Sequence, residues 1–345
     1  MHSAEDYIKR CIELAEMGLA AAIPNPSVGC VIVHDNQIIG EGFTSAYGGN
    51  HAEVNAINSV ENQDLLPDAT LYVSLEPCAH FGKTPPCANL ILEKNIKKVV
   101  VATVDPFAEV NGLGITRLRE NGVDVKVGIL EEEARESNKR FFTFHKKKRP
   151  YIILKWAETN DGFVDSLREE GSNNSLKITS EPSNILVHKW RSEEQAIMVG
   201  KNTALLDNPS LTTRKYEGKN PIRILLDSNG STLPNVAILN SEARTVVLNS
   251  LKDETKENVE FIRLENTSDI TEVLEKLYEL NIQSVLIEGG PTLHKSFYNA
   301  GYWDEIRRFV SSESIHQGVS AMPLDIEPNS VESIGTDKLY HYRNQ

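Results

Sequence analysis

The feature that most constrains the fold is an alternation that runs the length of the chain. Short apolar runs of strand length recur between runs with helical spacing. VGCVIV (28–33), ATLYVSLEPC (69–78), KKVVVATVD (97–105) and DVKVGI (124–129) are β-rich. Between and around them, Tyr7, Ile8, Cys11, Leu14 and Ala15 share one helical face, and HAEVNAINSV (51–60), PCANLILEKN (86–95), ITRLRENG (115–122) and EEEARESNKRFFTFHKK (131–147) read as helices. Ser3 and Asp6 have capping-box spacing, HDNQ (34–37) is a turn before the returning strand IIGEGF, and Gly122 caps a helix C-terminus. After Pro150 the alternation resumes with strands YIILKWA, AIMVG, IRILLDS, RTVVLN and SVLIEGG and helices SNILVHKWRSEE, ITEVLEKLYELN and TLHKSFYNAG. Strands and helices in this order imply layered α/β domains with both sheet faces covered. We place two domains, 1–147 and 148–345, with the basic run Lys146–Arg149 as a solvated junction.

Charge and cysteine usage exclude several classes. The net charge is −13, from 36 basic and 49 acidic residues, whereas a nucleic-acid binder shows a basic stripe or domain. No stretch approaches the roughly eighteen apolar residues of a membrane span. The start, MHSAEDYIKRC, lacks the pattern of a signal peptide. Cys11 and Cys30 sit in apolar surroundings and read as buried thiols, so a cytoplasmic chain without disulfides is expected. With 345 residues the core needs no metal merely to fold, so any metal would serve chemistry.

The other two of the four cysteines lie together, in EPCAHFGKTPPC (76–87). His51 opens a helix upstream with Glu53 two residues on, and Cys78 and Cys87 flank the start of another. One imidazole and two thiolates suit a catalytic zinc that keeps its fourth position for water, although His80 is available as a fourth, closing ligand. Glu53 is the candidate proton carrier. Residues i and i+2 do not share a helical face, so His51 must stand at the helix entrance in a different backbone conformation. Histidine, glutamate and two cysteines in this order form the pattern of zinc deaminases, here with eight residues between the cysteines instead of two. His80 and Lys83 ride on the resulting loop and suit a large polar substrate, such as a phosphate ester.

With PNPSVGCVIV, HAE and SLEPCAHFGKTPPCA in order, the chain resembles the bifunctional deaminase–reductases of riboflavin biosynthesis over nearly its whole length. The resemblance implies a cytidine-deaminase-like three-layer domain followed by a dihydrofolate-reductase-like domain. It implies one Zn2+ per chain on His51, Cys78 and Cys87, with Glu53 catalytic. Asn25, His80, Lys83, Asp105 and Asn111 would line the pocket for 2,5-diamino-6-(phosphoribosylamino)pyrimidin-4-one, which is deaminated by water.

No G-x-G-x-x-G follows a strand, so an ordinary dinucleotide fold is not expected. Instead a strand, Gly289-Gly290 and a helix follow one another, with the helix N-terminus able to hold an anion. By resemblance, Ala157, Lys177, Thr203, Asp207, Ser228 and Gly290, Pro291, Thr292, Leu293, His294, Lys295 and Ser296 would face NADPH. Lys155, Ser175, Arg191, Leu211, Arg214 and Glu288 would face the substrate, whose ribosyl group is reduced to ribityl. Phe107, Ala108 and Leu113 stand where the family commonly has Asn, Pro and Lys, and Lys177 stands where it has Trp. After Asp304-Glu305 the family's strand and glycine-rich loop are expected to be replaced by IRRFVSSESIHQGVSAMP. The implied partner is a small phosphoribosyl-pyrimidine, with no nucleic acid or membrane, in a homo-oligomer. Two alternatives stand beside this reading: a deaminase that edits nucleic acid, and a deaminase whose C-terminal domain is structural or has lost reduction.

Overall fold

The computed structural model describes residues 2–81, 85–107, 111–168, 176–230 and 236–344. Contacts divide the chain into two compact units, Met1–Lys148 and Arg149–Gln345.

The first unit begins with α1 (Ala4–Ala22), closed at its start by the Ser3/Asp6 capping box. A hairpin follows, β1 (Gly29–His34) and β2 (Gln37–Phe43), joined through Asp35 and Asn36 with φ of 48° and 61°. That pair of left-handed residues matches the twist of the flanking strands. Then come α2 (Ala52–Ser59), β3 (Thr70–Leu75), α3 (Cys87–Glu93), β4 (Lys98–Thr103), α4 (Leu113–Glu120), β5 (Asp124–Val127), α5 (Glu131–Ser137) and α6 (Lys139–Lys147). The sheet order is β2-β1-β3-β4-β5, with β3, β4 and β5 parallel. The segments after β3 and β4 therefore leave from the same end of the sheet, where open α/β sheets bind ligands. Cys30, Ile32, Leu71, Val73, Val99 and Val101 face one core; Cys11, with Tyr7 and Val31, lies in another. Both thiols are buried and unpaired, and burial raises the pKa of each.

The run 131–147, read as one helix, is two. It breaks at Asn138, with φ −112° and ψ 25°. The Asn138 side chain is turned to another segment. Ser27 N donates to its Oδ1 at 3.0 Å, and its Nδ2 donates to Ser27 O at 2.8 Å. This buried amide thus grips both polar groups of one residue in the loop that carries Asn25.

The second unit comprises β6 (Tyr151–Glu158), β7 (Phe163–Asp165), α7 (Glu181–Glu193), β8 (Ala196–Gly200), α8 (Lys201–Asp207), β9 (Ile222–Leu226), β10 (Thr245–Asn249), β11 (Glu254–Lys256), β12 (Val259–Arg263), α9 (Ile270–Glu279), β13 (Ser284–Ile287), α10 (Pro291–Asn299), β14 (Glu305–Val310), β15 (Val319–Ser320), β16 (Ser330–Ile334) and β17 (Asp337–Arg343). The main sheet runs β11-β12-β10-β9-β8-β13-β6-β14-β17-β16, parallel from β12 to β14. The β14 strand corrects the expectation for the C-terminal end: IRRFV is a strand, parallel to β6. Ile306 and Phe309 are fully buried. The charges between them are absorbed by carboxylates, Arg307 by Glu305 at 2.7 Å and Arg308 by Glu158 at 2.5 Å. Arg149 makes a buried bidentate pair with Asp304 that ties the entrance of β6 to that of β14. Among the described residues no helix is long and apolar enough to cross a membrane.

Asn138→Ala would strand the N–H and C=O of Ser27 in a dry interior. Each stranded group costs about 1–3 kcal/mol, so we expect a loss of about 2–6 kcal/mol in urea unfolding of the first unit. A loss under about 0.5 kcal/mol would show that the Ser27 loop has other support.

Candidate active sites

His51 is the N-cap of α2, with φ −73° and ψ 163°. Its extended backbone resolves the spacing problem, because it swings the imidazole away from the helical register while Glu53 stays on the buried side of the first turn. Cys78 lies just beyond β3, and Cys87 is the first residue of α3. Cys87 Sγ lies 3.3 Å and Cys78 Sγ 3.6 Å from His51 Nδ1, and the Cys87 amide donates to Cys78 Sγ at 3.3 Å. All three donor atoms lie within 4.8 Å of one another. A tetrahedral zinc with one imidazole and two thiolates needs N···S and S···S separations of about 3.6 and 3.8 Å, so the donor set fits that ion. Among the described residues His80 does not join the cluster, which favours an open, catalytic site over a closed one.

The electrostatics agree with this arrangement. The Cys87 thiol and His51 stabilise a Cys78 thiolate, whose pKa falls, while the Cys87 pKa rises beside it. The Cys78 hydrogen bond also raises His51. Glu53 is buried, and burial with the nearby Cys78 charge pushes its carboxyl up to about 7. A carboxyl poised there can both accept and return a proton near neutral pH.

The expected pyrimidine contacts are spread over three segments. Asn25 is half-buried in the turn after α1. His80 is half-buried, and its Nδ1 is enclosed with no hydrogen-bond partner among the described residues. Asp105 is buried, pushed up to about 7 by burial, and accepts the Phe107 amide at 2.8 Å. Asn111 is exposed, and Lys83 lies outside the described residues. Phe107, in place of the family's Asn, packs edge-on against His80 and His145.

In the second unit a cavity of about 900 Å³ opens beside the carboxyl ends of β6, β8 and β13. Of the residues expected at NADPH, Ala157, Lys177, Thr203, Asp207, Ser228, Gly290, Pro291, Thr292, Leu293, His294 and Ser296 line it, and Lys295 does not. Gly290 caps α10, and its amide donates to Thr203 Oγ1 at 3.1 Å. A Cβ on Gly200 would meet nothing within 4 Å, so the backbone there faces open space that a cofactor can fill. The α10 N-terminus and these bare backbones fit a dinucleotide pyrophosphate.

The expected substrate residues divide. Lys155 and Glu288 line the cavity. Arg191 holds Glu288 in a buried bidentate pair, 2.9 Å on each arm, and Lys155 Nζ lies 3.6 Å from the same carboxylate. Burial opposes ionisation of Glu288, but the Arg191 and Lys155 charges outweigh it and hold its carboxyl down to about 2. Arg214 bonds Ser210 Oγ, and its amide donates to His188 Nδ1 at 3.0 Å. The Leu211 side chain packs into the core with Ile197 and Val199, on a backbone with φ 54°. Ser175 lies outside the described residues.

Sequence reasoning missed Arg168, whose side chain lines the cavity and pairs with Asp165 and Asp207. It sits in an irregular loop, and no local signal marks it. It also missed Glu76, inside the EPC stretch, whose role is apparent only once the loop after β4 is placed.

Residues 1–103 match the cytidine and deoxycytidylate deaminase zinc-binding region, and residues 150–315 match the RibD C-terminal domain. The riboflavin biosynthesis protein RibD of Aquifex aeolicus is 37% identical over 354 residues, 98% of each chain. That of Bacillus amyloliquefaciens is 41% identical and covers 89% of this chain and 84% of the relative. The crystal structure of a diaminohydroxyphosphoribosylaminopyrimidine deaminase/5-amino-6-(5-phosphoribosylamino)uracil reductase from Thermotoga maritima is 38% identical. It matches with a TM-score of 0.89 over 99% of this chain and 98% of that one.

A zinc-binding deaminase region followed by a reductase domain defines an enzyme class with two chemistries in one polypeptide. The chain belongs to the RibD family of bifunctional riboflavin biosynthesis enzymes, with Zn2+ for deamination and NADPH for reduction. Both halves match, and nothing favours a deaminase whose second domain is only structural.

Two buried histidines give this second unit a pH signature. Burial lowers His294, which donates Nε2–H to Ile287 O at 3.0 Å, to about 4, and burial lowers His188 likewise to about 4. Both are neutral in the fold, while an unfolded histidine titrates near 6.5. Their contribution is complete above about pH 6.5 and is lost as pH falls toward 4. The thermal midpoint of this unit should hold steady from pH 7.5 to 6.5 and fall between pH 6.5 and 4.5; a flat profile to pH 4.5 would contradict the neutral assignment.

Proposed function

We propose that His51, Cys78 and Cys87 hold the zinc of the deaminase and that Glu53 carries its proton. When bound, zinc supplies a Lewis acid that brings the pKa of water toward 7. Glu53 takes a proton from the attacking water and returns it to the amino nitrogen of 2,5-diamino-6-(5-phosphoribosylamino)pyrimidin-4-one, which leaves as ammonia. Its buried position keeps that proton from bulk water. Asn25, His80, Lys83, Asp105 and Asn111 orient the pyrimidine. The observation that carries this reading is the convergence of one imidazole and two sulfurs beside a buried carboxyl.

The product passes to the cavity of the second unit, where Ala157, Lys177, Thr203, Asp207, Ser228 and the segment Gly290–Ser296 hold NADPH. Lys295 is the member of that segment with least support, since it is outside the lining. The cofactor, when bound, supplies the hydride that reduces the opened sugar at C1. Lys155, Ser175, Arg191, Leu211, Arg214 and Glu288 form the substrate side. Arg191 is committed to Glu288, so Arg214 is the better candidate for the sugar phosphate, and Arg191 fixes the Glu288 carboxylate in place. We further propose a homo-oligomeric, cytoplasmic enzyme; the buried free thiols of Cys11 and Cys30 support the cytoplasmic location.

Two variants test the metal site. Cys78→Ser should lower zinc from about one ion per chain to near none and abolish deamination, leaving NADPH oxidation with pre-deaminated substrate intact. Glu53→Gln should keep its zinc and lose about 10²–10⁴-fold in deaminase kcat. Normal deamination by Cys78→Ser would refute the ligand assignment.

A further inference from the structure

Glu76 is a buried carboxylate two residues before Cys78, and its acceptor sites are fully engaged by backbone amides. Oε2 accepts Gly112 N at 2.9 Å and Asp105 N at 3.3 Å; Oε1 accepts Gly114 N at 2.9 Å and Ile115 N at 3.2 Å. All four donors come from the loop after β4 and the first turn of α4. That helix has Gly112 at its N-cap and no side chain of its own to receive the orphan amides. An α-helix leaves its first N–H groups unsatisfied and carries partial positive charge there. Glu76 therefore caps α4 from a different segment of the chain.

The contact is close enough to dictate sequence. A Cβ on Gly114 would lie 1.8 Å from Pro77 O, so the helix start is pressed onto the Pro77 peptide, between Glu76 and Cys78. The same turn is tied to α3, because Ala88 N donates to Cys78 O at 3.1 Å and Cys87 N to Cys78 Sγ at 3.3 Å. One turn thus carries a metal ligand on one side and grips the loop bearing Asp105 on the other.

We infer that Glu76 is a positioning residue of the deaminase, whose carboxylate clamps the loop after β4 onto the Cys78 turn and fixes Asp105 relative to the metal ligands. This rests on the reading of Asp105 as substrate-facing. Glu76 lies outside the His51, Cys78 and Cys87 cluster and spends its carboxylate on four backbone amides, so its role is to set the separation of Cys78 and Asp105.

The test is Glu76→Gln, whose amide nitrogen would confront two N–H donors. The deaminase KM should rise by about 10-fold or more while kcat stays within about 3-fold. Zinc content and NADPH oxidation with pre-deaminated substrate should match the unsubstituted enzyme, the latter reporting a folded chain. Hydrogen exchange in a peptide spanning 105–115 should accelerate, with no change in one spanning 51–60. If Glu76→Gln fails to fold, Glu76→Asp, which keeps the charge on a shorter stem, should show the same KM direction with a smaller rise. Unaltered KM, zinc lost in step with activity, or unaltered exchange would each overturn the proposal. Asp105→Asn separates the underlying reading: an unchanged KM in that variant, with exchange accelerated in Glu76→Gln, would mean that Asp105 does not face substrate.

Discussion

The first unit depends on the meeting of His51, Cys78 and Cys87. Three segments must each end at the same point: the extended N-cap of α2 and, 27 to 36 residues further on, the exit of β3 and the first turn of α3. Two sulfurs and an imidazole nitrogen within 4.8 Å of one another form a group that must share protons or bind a cation. A zinc held there would take the place of those protons, so its affinity would fall as pH falls. The parallel order of β3 and β4 then brings the Asp105 loop to the same edge, and Glu53 is buried in the first turn of α2.

The second unit solves a different problem with a different device. Its cavity is built beside an anion already locked in place. Glu288 is buried, yet Arg191 and Lys155 keep it ionised. Such a group is expensive to desolvate and does not reorganise when a ligand arrives, which suits a site that must orient a reacting carbon. Each unit has its own core and its own site, so the two chemistries are separable by mutation.

Much of this was legible in the sequence because the signals are local. The capping box at Ser3 and Asp6, the left-handed pair Asp35-Asn36 and the strand runs each follow from a few neighbouring residues. The His51, Glu53, Cys78 and Cys87 order was readable because zinc chemistry restricts its ligands so narrowly. What escaped depends on distant partners. The break at Asn138 comes from a bond to Ser27, 111 residues away, and no helical pattern near 138 foretells it. The β14 strand was missed because IRRFV departs from the family's pattern after Asp304-Glu305; its two arginines fit a strand only once Glu305 and Glu158 are placed beside them. Glu76 was in plain view, but a carboxylate that caps a helix belonging to another segment leaves no local trace.

X-ray absorption at the zinc edge on the purified protein tests the central claim most directly, since it counts ligands by element. The account predicts two sulfurs at about 2.3 Å with one imidazole and one further light atom at about 2.0–2.1 Å. Two imidazoles with two sulfurs would mean that His80 closes the site and that no position is left for water. Fewer than two sulfurs, or no zinc, would contradict the assignment of Cys78 and Cys87.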